Sequence, residues 1–174
     1  MRFKILSKIR ELNSKTVGSL NLEDNQEIIK EELDLSKYRS KGNPWKRVRN
    51  FVTLDNYILY NYSRCKITQL LKGHYQSGKE EYQYDYIVFL RSDVKFKKKL
   101  DVNMLTEIDT PNKCIIPDFH HWLGGYNDRM FISKIDVALY YGTYFNHLYD
   151  LSLEKLLHSE TINKYLLEKY KANI

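Results

Sequence analysis

The chain has 174 residues, 43% of them hydrophobic and 29% charged, with a net charge of +6. That usage, in a chain long enough to bury a sizeable core, excludes whole-chain disorder, collagen and coiled coil. Seven glycines and three prolines fall well below the roughly 12% combined share of an average protein, which argues against a many-turned sandwich of short strands. In chain order, Phe3, Leu6, Ile9 and Leu12 form one stripe and predict a helix over 2–13. Residues 16–22 suit a short strand. Asp24 and Glu27 have capping-box spacing ahead of a helix carrying Ile28, Ile29 and Leu33. Residues 36–49 read as a basic loop, and a long helix is expected over 50–72, with Phe51, Leu54, Ile58, Tyr62 and Cys65 on one side and Gly73 as its stop.

The run Tyr84–Leu90 is almost unbroken in apolar residues, the pattern of a strand buried on both faces of a parallel sheet. Residues 113–117 and 130–132 predict two more strands. Ser133 and Asp136 suit the start of a helix reaching about 149, and Ser159 suits the cap of a last helix carrying Ile162, Tyr165 and Leu166. Helices alternating with apolar strands predict a single α/β layered domain over 1–174.

Cys65 and Cys114 show no CxxC spacing, so neither a disulfide framework nor a zinc site is expected, and a reducing, cytoplasmic setting fits. No apolar run reaches the roughly 18 residues of a membrane span. Charge falls in blocks: six acids against Lys30 over 23–34, then six bases and no acid over 37–49. Basic blocks attract phosphate-bearing partners or stand as solvated faces. Because acidic blocks separate them and no nucleic-acid motif occurs, nucleic acid is not the expected partner.

Chemistry can sit in three places. Asp93 lies just past the best strand, where a carboxylate beside Ser92 suits Mn²⁺ or Mg²⁺ and Arg91 can neutralise further charge; a turn cap is the plainer reading. The segment His120–Arg129 combines Gly124 and Gly125, which let backbone approach a ligand, with Trp122 for a sugar or base and Asn127, Asp128 and Arg129 for hydrogen bonds. Asp128 can bind hydroxyls or act as a general base, or pair with an arginine to staple the loop. Of the adjacent histidines at most one can ligate metal, since neighbours on an extended chain point apart. The third place is His158–Ser159–Glu160, where Glu160 also suits the first turn of a helix.

YDYIVFLRSDVKF, then IIPDFHHWLGGYNDRMFIS, then HSETINKYLL together resemble a family of glycosyltransferase domains found in large DNA viruses and related bacterial proteins. The resemblance covers roughly 50–170. It implies a GT-A-like, Rossmann-like fold with a mostly parallel central sheet flanked by helices. It also implies a nucleotide-sugar donor, a glycan or glycoprotein acceptor, Mn²⁺ or Mg²⁺, and the host cytoplasm if the protein is viral. Asp93 would bind the metal beside Arg91 and Ser92, with His158 as a weaker candidate. Trp122, Gly124, Gly125, Asn127 and Arg129 would line the donor and acceptor side, and Asp128 and Glu160 would be catalytic. Two departures stand out: Arg91 occupies the place of a first motif acid, and the chain begins one strand and loop late. The second implies an N-terminally truncated domain, an inactive remnant, or a nucleotide site completed by a second chain. A basic module binding nucleic acid or anionic glycan is the alternative.

Overall fold

The computed structural model describes residues 33–46, 50–78, 84–91, 94–95, 97 and 100–174; the elements expected at 2–13, at 16–22 and behind Asp24 lie outside them. Contacts divide the chain into Met1–Leu35 and Ser36–Ile174, and all helices and strands below belong to the second unit.

The long helix is present as α1, Val52–Gln76. Its buried residues, Leu54, Tyr57, Ile58, Asn61, Arg64, Cys65 and Thr68, recur every three or four positions, the repeat of one helical face. It runs through Gly73 and ends before Gly78, whose φ of +70° is the left-handed conformation glycine adopts past a helix end.

The sheet overturns the expected architecture. Strands β1 (Ile87–Leu90), β2 (Cys114–Ile115) and β3 (Met130–Ser133) lie in the order β1-β3-β2, and both pairings are antiparallel. Among the described residues there is no mostly parallel central sheet, and helices dominate. The apolar run at 84–90 misleads for a physical reason. β1 is an edge strand, its first three residues are only half-buried, and Leu90 is 50% exposed. The most buried strand is β3, with Phe131, Ile132 and Ser133 all at 0% exposure and Met130 half-buried.

The two faces of this small sheet are covered differently. On one, Phe89 and Phe131 meet Tyr141 of α2 (Ile135–Gly142), and the Phe131 and Tyr141 rings stack at 3.8 Å and 2°. On the other, Ile132 packs with Leu105 and Ile108 of a 3₁₀ helix, Val102–Ile108, joined by Tyr86, Val88, Ile115 and Met130. Asp101 starts that turn by accepting a 3.0 Å hydrogen bond from the Asn103 amide.

The helix expected to reach 149 is two helices, α2 and α3 (Phe145–Glu154), separated at Thr143–Tyr144. The Thr143 hydroxyl bonds back to the Leu139 carbonyl at 2.9 Å. Gly142 sits against α1 so closely that a Cβ there would lie 2.0 Å from Thr68 Oγ1. Ser133 does not cap α2; its hydroxyl donates to the Lys134 carbonyl at 3.0 Å. The last helix, α4, spans Ser159–Tyr170 with His158 rather than Ser159 at the N-cap position. Left-handed Lys171, φ 61°, ends it and turns the tail toward β2, where the Cys114 amide donates to the Asn173 carbonyl at 2.8 Å. No helix among the described residues is long and apolar enough to cross a membrane.

Replacing Phe131 with alanine removes half of the central stack and opens a void beneath Tyr141. Its urea midpoint should fall by an amount equivalent to about 3–5 kcal/mol; a midpoint within error of wild type would show that the stack is not the centre of this core.

Candidate functional site

The antiparallel register explains how the first two motif segments meet. Leu90 pairs with Met130, and the ladder continues one step further as the Arg91 amide donates to the Arg129 carbonyl at 3.1 Å. That step places Arg91 diagonally opposite Asp128. Its Nη1 lies 3.1 and 3.3 Å from the two carboxylate oxygens. The Asp128 side chain is 5% exposed and that of Arg91 30%. Ser92 and Asp93 lie outside the described residues.

Asn127, at 0% exposure, ties the loop together. Its Nδ2 donates to the Phe119 carbonyl at 2.6 Å, and its Oδ1 accepts from the Arg129 amide at 2.8 Å. Its own amide donates to His121 Nδ1 at 3.2 Å. A neutral imidazole accepting there carries its proton on Nε2, which lies 3.5 Å from Asp118. Trp122, 57% exposed, opens a 3₁₀ turn in which Leu123 and Gly124 have φ of 51° and 69°.

The third motif segment holds this loop from behind. The Tyr126 amide donates to the Glu160 carbonyl at 2.9 Å. Asn163 Nδ2 donates to the Tyr126 and Asn127 carbonyls at 3.2 and 3.1 Å, and Lys164 reaches the Gly124 carbonyl at 3.2 Å. A Cβ on Gly125 would lie 2.2 Å from the Glu160 carbonyl carbon, so the second glycine is there to admit the protein's own helix. The Glu160 side chain is buried, accepts from the Ser159 hydroxyl, and lies 3.4 Å from His158 Nδ1. The His158 ring packs on Trp45 at 5.2 Å.

Behind Asp128 lies a group that sequence reasoning missed. Arg64 of α1 is 6% exposed, with its guanidinium 4.0 Å from the Tyr141 ring and 5.1 and 5.2 Å from Tyr60 and Tyr144. Its Nη2 donates to Asn61 Oδ1 at 2.5 Å, whereas Nε is buried without a hydrogen-bond partner. The signal was present: polar Asn61, Arg64 and Thr68 share the stripe of Leu54 and Ile58. Burial pushes the Tyr57 phenol above its ordinary value; the Arg64 cation pulls it down and the Asp128 anion pushes it up. Arg129 Nη1 is also buried without a partner. The Arg91–Asp128 pair and Arg64 share a wall of tyrosines: both guanidinium groups lie over the Tyr60 ring, at 5.6 and 5.1 Å. Among the described residues no three His, Cys, Asp or Glu side chains are placed to hold a metal ion.

Comparison with family models, with curated proteins and with solved structures finds no match to this chain.

Gly125→Ala forces loop and helix backbones apart and should cost about 2–3 kcal/mol. Gly124→Asn, in open space and tolerant of the left-handed conformation, should stay within about 0.5 kcal/mol of wild type by urea denaturation. Arg91→Ala leaves a buried carboxylate without its cation and should cost about 1–2 kcal/mol, discounted for the arginine's exposure. In Arg91→Ala/Asp128→Asn most of that loss should return; simple addition of the two single effects would mean that the pair is not coupled.

Proposed function

We propose that this chain is a sugar-transferring domain that takes a nucleotide-sugar donor and a hydroxyl acceptor. The observation that supports this reading is the convergence of three distant segments. Arg91 pairs with Asp128, while Tyr126, in the same loop as Asp128, is bonded to the Glu160 backbone. The buried, unpartnered Arg129 Nη1 adds a donor suited to an anionic ligand.

In this reading the guanidinium groups of Arg91 and Arg129 take up the charge that develops on the departing diphosphate. As Arg91 turns to that diphosphate, the Asp128 carboxylate is released to accept the proton of the attacking hydroxyl. The acceptor oxygen bonds to the anomeric carbon, the bond from that carbon to the diphosphate oxygen breaks, and the nucleoside diphosphate leaves. Glu160, whose side chain accepts from the Ser159 hydroxyl, positions the loop through its backbone carbonyl. Mn²⁺ or Mg²⁺, when bound, would supply further positive charge at the diphosphate, with Asp93 as its ligand.

The burial and pairing of Asp128 and Glu160 favour a second reading, a transferase-like domain that binds the donor without turning it over. Melting-point shifts over a panel of nucleotide sugars, with and without Mn²⁺, test both, since a ligand of the folded state raises the melting point by mass action. At a ligand concentration of 100 Kd the gain should be about 2.7 kcal/mol. Arg91→Ala and Asp93→Ala should reduce it. No shift with any nucleotide sugar, metal present or absent, would overturn the proposal. A shift without sugar transfer or hydrolysis would select the second reading.

A further inference from the structure

A cavity of about 290 Å³ lies beside the Asn127 loop, lined by Ile116, Asp118, His121, Tyr126 and Ile174. Its walls come from three places. Left-handed Lys171 turns the tail back so that Asn173 bridges Lys113, which brings Ile174 beside Ile116. His121 is oriented by the Asn127 amide on Nδ1. Tyr126 is anchored through its amide to Glu160, with the Lys164 ammonium 5.3 Å from its ring centroid.

The chemistry of this lining is selective. Asp118 is exposed to solvent at the rim, and the proton-bearing Nε2 of His121 lies 3.5 Å from it. A carboxylate with open lone pairs accepts strong hydrogen bonds from hydroxyl groups and repels phosphate and carboxylate ligands. With Nδ1 accepting the hydrogen bond of the Asn127 amide, the neutral His121 ring presents its Nε2–H as a donor toward the cavity. Ile116, Ile174 and the Tyr126 ring give an apolar wall next to these polar groups, the mixture that small-ligand sites use for orientation and contact. At 290 Å³ the space lies just under the roughly 300–1,000 Å³ of drug-sized pockets, so it suits one ring rather than a dinucleotide. In the sugar-transfer reading, phosphate recognition falls to Arg91 and Arg129 instead.

We infer that this cavity is a subsite for one neutral pyranose ring of the acceptor, its hydroxyls on Asp118 and His121 and its C–H face on Tyr126 and the two isoleucines. The inference rests on the sugar-transfer reading for its ligand class, but its test does not need turnover. Saturation-transfer NMR with methyl α-D-glucoside, methyl β-D-galactoside and methyl α-D-mannoside should give ring-proton signals from at least one of them with the wild-type chain. Asp118→Ala should weaken that binding about tenfold or more, the loss expected for hydrogen bonds to a charged group, and Asp118→Asn should weaken it less. Because the Asp118 side chain is wholly exposed, both variants should melt with the wild type. Absence of signal from all three glycosides, or equal affinity in wild type and Asp118→Ala, would overturn the subsite. Nucleotide-sugar melting shifts on the same protein separate the two proposals: shifts without glycoside binding sink the subsite alone, and glycoside binding without shifts sinks the transfer reading alone.

Discussion

The arrangement of the site depends on one close approach, the backbone of Gly125 against the backbone of Glu160. A side chain at position 125 would collide with main-chain atoms that cannot rotate away. Around this contact four hydrogen bonds join loop to helix: the Tyr126 amide to the Glu160 carbonyl, Asn163 to two successive loop carbonyls, and Lys164 to the Gly124 carbonyl. These bonds satisfy backbone groups that a buried loop would otherwise leave unpaired, a cost of about 1–3 kcal/mol each. With the loop fixed to α4 and its far end entering β3, Asp128 has little freedom, and the ladder step at Arg91 brings the cation to it.

Electrostatics then accounts for the tyrosines. A buried arginine is costly unless its charge is answered. Arg64 is answered by the ring faces of Tyr60, Tyr141 and Tyr144 and by the Asn61 side-chain oxygen. Guanidinium groups tolerate this because they are planar, weakly hydrated and stack on aromatic rings. The Phe131–Tyr141 stack continues the same column, so the core of the sheet and the cation under the site share one aromatic wall. Substitutions in that wall act on stability and on the site's charge together.

Much of this was legible in the sequence, and the limits have physical causes. β1 and β2 fall within the segments 84–90 and 113–117, and β3 runs one residue past 130–132, because short apolar runs between polar loops have few other folded forms. Their direction was not legible. An apolar edge strand covered on one side by aromatic rings and half-covered on the other has the same composition as a central parallel strand. The α2–α3 break was hidden because no proline marks it; Gly142 does, but through its contact with Thr68, a partner 74 positions away. In the site, Arg91, Asn127, Asp128 and Glu160 were visible as types. The pairing of Arg91 with Asp128 follows from antiparallel register, which local pattern does not encode. Asn163, on the buried side of α4, gave no local sign of its role.

The tail beyond α4 has a kinetic meaning. Asn173 joins Lys113 across 60 residues of sequence, through only two backbone hydrogen bonds of 2.8 Å. Pairings of such span close late during folding, after local helices have formed, and a seam this thin separates well before the core does. Ile174 is carried on that seam, so local opening of the tail removes one wall of the cavity while the aromatic column stays intact.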